Sequence, residues 1–296
     1  MAGQMASLRD KTVLITGATR GIGEVAAVEL ARKGAHVVVV GRDAARLEET
    51  ARRVAEASGR RPGTLLADLS VQSEVRRVAS EFRAAYSRLD VLINNAGAFY
   101  AERRVTRDGI EMTWALNHLS GFLLTSLLLD MLRASAPARI INVSSEAHRM
   151  GRMDFADVER RRGYSAWGAY GQSKLANILF TTELTRRLAG TGVTANALHP
   201  GFVATGFGKN NSGLWGWLLG LAQVMAISPE EGAKTTIYLA SSPEVEGVSG
   251  KYFDKCRAVE PAAAAKDVAA AARLWELSER MVDLASPAPA PRAAAG

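Results

Sequence analysis

The chain has 296 residues, 48% of them hydrophobic and 23% charged, the composition of a soluble globular protein long enough to bury a core without covalent staples. A single cysteine, Cys256, excludes an internal disulfide and points to a reducing compartment. The net charge of +7 invites a nucleic-acid partner, but the densest basic run, Arg160-Arg161-Arg162, follows Asp154, Asp157 and Glu159 as in a solvated loop, and no nucleic acid is expected.

Taken in order, short apolar stretches alternate with segments of helical period. "TVLITG" (12–17) reads as a strand, and "GEVAAVELARKG" (23–34) as the helix after it. "AHVVVVG" (35–41) is a second strand, with Asp43 capping the next helix. Strands follow at 63–69, 89–97, 138–145, 193–201 and 250–254. Helices fall between them: a polar one to about Ser87, a long one over 108–134, one from "GAYGQSKLAN" (168–177) to about Leu188, and one from Pro229 to about Ala240. This alternation with continuously apolar strands predicts a parallel sheet covered on both faces. One domain is expected over 8–285, ending in a single amphipathic helix over 260–284, with 286–296 a disordered Pro/Ala-rich tail.

The first ten residues hold no apolar stretch of signal-peptide length, and the longest apolar run, 214–227, is too short to span a bilayer. A cytoplasmic protein without a transmembrane segment is therefore expected. Within 207–227, Trp215, Trp217, Leu218, Leu219, Leu221 and Met225 would suit a lid over an apolar ligand, a core or subunit contact, or a membrane-surface contact.

Between the first strand and helix, "TGATRGIG" carries Gly17, Gly21 and Gly23. Glycines there let backbone approach a pyrophosphate at a helix N-terminus, although they would equally make a plain turn. The second strand ends in Gly41 and Arg42, where a site selective for NAD usually places a carboxylate. With Arg20 in the glycine loop, two guanidiniums suit a 2′-phosphate and so NADP(H), unless both merely face solvent. Tyr170 and Lys174 lie four apart, one turn along one helix face.

With "NNAG" (94–97), Asn117, "VSS" (143–145), "YGQSK" (170–174) and "HPG" (199–201) in this order, residues 10 to 255 resemble the short-chain dehydrogenase/reductase family, in its retinol-dehydrogenase-like branch. The resemblance implies a single Rossmann-type, doubly wound α/β domain with a seven-stranded parallel sheet. It implies Tyr170 as general acid/base, Lys174 as the cation that lowers its pKa, Ser145 rather than Ser144 as the group polarising the substrate, and Asn117 linking the lysine to solvent through water. For the cofactor it implies Gly17, Thr19, Arg20, Gly21, Ile22, Gly23, Arg42, Asp68, Leu69, Asn95, Ala96, Gly97, Tyr170, Lys174, Pro200, Gly201, Val203 and Thr205.

The expected activity is NADP(H)-dependent interconversion of a hydrophobic aldehyde or ketone and its alcohol. The alternative is a non-catalytic NADP-binding redox sensor or interaction protein. His148 and His199 are expected to be structural, no metal is expected, and the helices at 108–134 and from 165 are where a homo-oligomer would meet.

Overall fold

The computed structural model describes residues 7–201 and 227–284. Val203, Thr205, all of the 207–227 stretch except Ile227, and the tail 286–296 lie outside the described residues. The strands are β1 (Thr12–Thr16), β2 (His36–Gly41), β3 (Gly63–Leu66), β4 (Val91–Asn94), β5 (Ala138–Val143), β6 (Val193–His199), β7 (Tyr252–Asp254) and β8 (Arg257–Val259). They form one sheet in the order β3-β2-β1-β4-β5-β6-β7-β8. The helices are α1 (Gly21–Arg32), α2 (Ala44–Ser58), α3 (Gln72–Ala85), α4 (Ser120–Ala134), α5 (Ala166–Arg187), α6 (Pro229–Ser241) and α7 (Val268–Met281).

Strand residues alternate between two cores, as the period of two requires. Val13, Ile15, Val37 and Val39 join α1, α2 and α6 on one face. Leu14, Val38, Val40 and Leu92 join α3, α4, α5 and α7 on the other. Both faces being covered, every residue of β1 is buried, which is why the strand reads as an unbroken apolar run. The chain turns outward in opposite directions from β1 and β4, so a crevice opens at their carboxyl ends.

Three expectations need correction. The sheet has eight strands: β8 pairs antiparallel with β7 across a two-residue turn, Lys255-Cys256, both at positive φ. That is the backbone of a tight hairpin, built without the glycine or asparagine that usually signals one.

The helix expected at 260–284 is shorter, because Asp267 breaks the alanine run: its side chain accepts a hydrogen bond from the Ala270 N–H and caps α7, leaving a 3-10 turn over Ala263–Lys266. The long helix begins at Met112, not 108, where Glu111 accepts from the N–H groups of Thr113 and Trp114. It passes through a π turn over Ala115–Leu119 before α4. This continuous helical stretch, Met112–Ala134, is long and apolar enough to cross a membrane, with a mean hydropathy of 1.3 over an 18-residue window. Its apolar side packs into the core through Phe122, Leu123, Leu124, Leu128 and Leu132.

Candidate active site

A cleft of about 710 Å³ runs along the carboxyl edge of the sheet, from Arg20 and Arg42 at one end to Met150 and Trp167 at the other. Thr19, Arg20, Ile22, Asp68, Leu69, Ala96, Gly97, Ser145, Tyr170, Lys174, Pro200 and Gly201 all line it, each on the segment following a strand or on α5.

The glycine loop is shaped by close approach. Gly17 has φ +65, and a Cβ there would stand 2.8 Å from the Ala96 Cα. A Cβ on Gly23 would stand 2.5 Å from the Asn95 amide nitrogen, so both positions exclude any side chain. Asn95 clamps the loop by donating to the Thr16 and Gly17 carbonyls at 2.8 and 3.0 Å. Gly21, at φ +57, makes the turn and does not line the cleft. Arg20 occupies the α1 cap without a side-chain hydrogen bond to it, so the first-turn N–H groups are left to a ligand. These features fit a dinucleotide pyrophosphate.

At the end of β2, a Cβ on Gly41 would fall 2.2 Å from the Thr19 methyl carbon, so a side chain there would require Thr19 to turn aside. Burial first, then the neighbouring Arg46 and Arg42 guanidiniums, hold Arg20 below its usual pKa. Three guanidiniums thus gather at this end, with Asp43 as the acid that pairs with Arg46 at 3.8 Å. Arg46 went unanticipated, although its place four residues after Arg42 was visible. Asp68 uses one oxygen to accept from the Ser70 N–H and hydroxyl, which fixes its side chain at the cleft edge.

At the catalytic end, α5 is buried along most of its length and carries Tyr170 (7% exposed) and Lys174 (4% exposed) to the cleft. Lys174 Nζ donates to the Val143 carbonyl at 3.1 Å and lies 5.6 Å from the Tyr170 ring centroid. Ser144 turns inward and donates to the Lys174 carbonyl at 2.7 Å, while Ser145 faces the cleft and hydrogen-bonds the phenol. Burial pushes the Tyr170 phenol up to about 12 against the opposing Ser145 hydrogen bond, and pushes the Lys174 ammonium down to about 8. Desolvation sets the direction of the Tyr170 shift, and Lys174 is not among its causes.

Asn117 lies behind the cleft rather than in it. In the π turn, its Oδ1 accepts from the Ala98 N–H at 2.8 Å, and its Nδ2 donates to the Ala98 carbonyl and the Ser173 hydroxyl at 3.0 and 3.1 Å. Its side chain holds the cleft wall. His148 is a brace: Nδ1 donates to the Ser145 carbonyl at 2.7 Å and Nε2 accepts from the Ala262 N–H at 3.0 Å. His199 lines the cleft with Nδ1 accepting from the Glu146 N–H at 3.2 Å. The far wall is apolar: Trp167, one turn before Tyr170, packs on Phe99 at 4.9 Å between ring centroids, beside Met150 and Leu116. Trp167 was legible as a neighbour of Tyr170 at three residues' spacing; Met150 carried no local signal. Among the described residues no group of His, Cys, Asp and Glu is arranged to hold a metal.

The family model for short chain dehydrogenase matches residues 11–213. Retinol dehydrogenase 14 of Mus musculus is 44% identical over 94% of this chain and 87% of its own length. Retinol dehydrogenase 13 of Homo sapiens is 43% identical over 95% of this chain and 87% of its own. Among solved structures, an uncharacterized protein from Mycobacterium paratuberculosis superposes with a TM-score of 0.77 at 38% identity, covering 95% of this chain and 96% of that one. The RhlG/NADP active-site complex of Pseudomonas aeruginosa reaches 0.67 at 30% identity, covering 83% and 95%. The chain belongs to the short-chain dehydrogenase/reductase family, in its retinol-dehydrogenase-like branch, and is an NAD(P)-dependent oxidoreductase of alcohol and carbonyl groups.

Proposed function

We propose that this protein reduces hydrophobic aldehydes or ketones with NADPH, with Tyr170 as the proton donor. The observation that carries the proposal is the buried Tyr170–Lys174 pair on one face of α5, opposite Ser145 and at the apolar end of a dinucleotide-shaped cleft. NADPH, when bound, supplies the hydride.

The remaining chemistry belongs to the chain. Ser145 and Tyr170 donate hydrogen bonds to the substrate's carbonyl oxygen, where negative charge develops; one such aligned donor is worth about 3 kcal/mol. A phenol held near 12 stays protonated at neutral pH, which suits donation and hence reduction. Lys174, still mostly charged at neutral pH, supports the phenolate that remains. Asn117 acts as a positioning residue through Ala98. The hydrophobic side of the assignment rests on Trp167, Met150 and Leu116, and the retinol dehydrogenases among the relatives make an apolar substrate the natural first choice.

NADP over NAD is supported by the Arg20, Arg42 and Arg46 cluster and by a glycine at position 41. Titration of nicotinamide fluorescence with NADPH and NADH, followed by NADPH oxidation across a panel of apolar and polar aldehydes, tests all of this. Tight NADPH binding with turnover of the apolar members is expected. Preference for NADH overturns the cofactor assignment, and binding without turnover of any carbonyl compound favours the redox-sensor alternative.

A further inference from the structure

Behind the cleft wall lies a second, small cavity of about 10 Å³, room for one water molecule. Ala96 borders both spaces, and Asn94, Asn117, His118, Asn142 and Asn177 border the inner one. Hydrogen bookkeeping fixes which of their atoms are left as acceptors. The Thr181 hydroxyl donates to the Asn177 main-chain carbonyl at 2.7 Å, so it accepts from Asn142 Nδ2 at 2.9 Å. Asn142 therefore presents its Oδ1 to Asn94 Nδ2 at 2.8 Å, and Asn94 Nδ2 gives its second hydrogen to the Thr125 hydroxyl at 2.9 Å. Asn94 Oδ1 is left as a buried acceptor with no hydrogen-bond partner.

The same bookkeeping settles His118. The Ser278 hydroxyl donates to the Leu274 carbonyl at 2.8 Å, so it accepts from His118 Nε2–H at 2.9 Å. His118 is fully enclosed, and burial lowers its pKa to about 4, so at neutral pH its Nδ1 is a bare lone pair. The Asn177 side chain favours protonation from nearby without meeting Nδ1 at hydrogen-bonding geometry. Nδ1, like Asn94 Oδ1, has no partner.

Asn94 and His118, each with one bare acceptor, border the same water-sized space, and a single double donor would satisfy both. We propose that the cavity binds one ordered water, which donates one hydrogen to His118 Nδ1 and the other to Asn94 Oδ1, and that this water pins the π turn carrying Asn117. The turn is then held between β4 through Asn94 and α7 through Ser278, with the cleft wall at Ala98 hanging from Asn117. His118 and Asn94 are positioning residues. The water site stands on this geometry alone, while its effect on turnover rests on the function proposed above.

A high-resolution crystal structure of the full chain with NADPH tests the site directly. Ordered density within roughly 3.2 Å of both acceptors is expected, and a dry cavity overturns the proposal. Two variants separate the nitrogens. His118→Asn keeps an acceptor where Nδ1 stands and gives up Ser278; His118→Gln keeps an N–H for Ser278 and gives up the acceptor. The expected result is that His118→Asn retains the water and loses less kcat than His118→Gln, because only its link to α7 is gone. His118→Gln loses the water and about tenfold in kcat, the scale of a slight misplacement at a reacting centre, with NADPH affinity unchanged. The reverse ranking, or loss of the water with unchanged kcat, overturns the pinning role. If the parent protein turns over no carbonyl compound, the functional assignment fails while the density still decides the water site.

Discussion

At the cofactor end the cleft is made of backbone: Gly17, Gly23 and Gly41 leave spaces that any side chain would fill, and the open N-terminus of α1 supplies the donors. At the catalytic end it is made of side chains, with Tyr170 and Lys174 taken out of water and held by Val143, Ser145 and Phe99. Binding and chemistry are therefore separable here. A side-chain change at one end is expected to leave the other largely intact, and each experiment below probes that separation.

The largest effect among variants that leave the Tyr170–Lys174 pair intact concerns Ser145. Ser145→Ala removes a hydrogen bond to the developing charge and is expected to lower kcat by about 10² to 10³, with NADPH affinity unchanged by fluorescence titration. Because Ser145 Oγ also accepts from the Ala147 N–H at 3.2 Å, Ser145→Thr keeps that contact and serves as the control. A loss of cofactor affinity equal to the loss of kcat would erase the separation.

At the opposite end, Arg20→Ala combined with Arg42→Ala is expected to reduce the NADPH-to-NADH preference by about 10- to 100-fold, the worth of one or two charge-assisted bonds, while kcat with saturating NADPH stays within about threefold. Arg46→Ala, alone, tests the third member of the cluster and should give a smaller shift of the same sign.

A smaller, graded effect comes from pH. The Lys174 ammonium, held near 8, is charged below that pH and loses its charge above it. Carbonyl reduction, read as kcat/KM, is then expected to be flat from pH 6 to 7.5 and to fall about tenfold by pH 9. Alcohol oxidation needs an ionised Tyr170, whose phenol lies near 12, so it should rise with pH over the same range. A reduction rate that climbs between pH 8 and 9 would contradict the burial of Lys174.

The two ends also differ in how much the sequence disclosed. The glycine loop, the Asp43 cap and the Tyr170–Lys174 spacing are local signals, set by turn geometry and helical period; the structure places the loop and the pair at the cleft and Asp43 at the start of α2. Ser145 facing the cleft and Ser144 facing the interior follows from strand alternation. What escaped was decided by tertiary packing. β8 hides behind a Lys255-Cys256 turn without the usual residues, and α7 starts late because Asp267 stands inside an alanine-rich run. Asn117 was legible as a polar residue of the motif, but its partner Ala98 lies on another loop, and the π turn that aims it has no sequence signature. The direction of the Tyr170 shift depends on burial, which spacing alone does not give.

The central claim, that Tyr170 donates the proton, is tested most directly by Tyr170→Phe. The ring keeps its packing against Phe99 at 5.8 Å while the hydroxyl is lost. NADPH affinity should fall by no more than about tenfold, the worth of one hydrogen bond, while NADPH-dependent carbonyl reduction should fall by about 10³-fold or more. Turnover within tenfold of the parent would contradict the account.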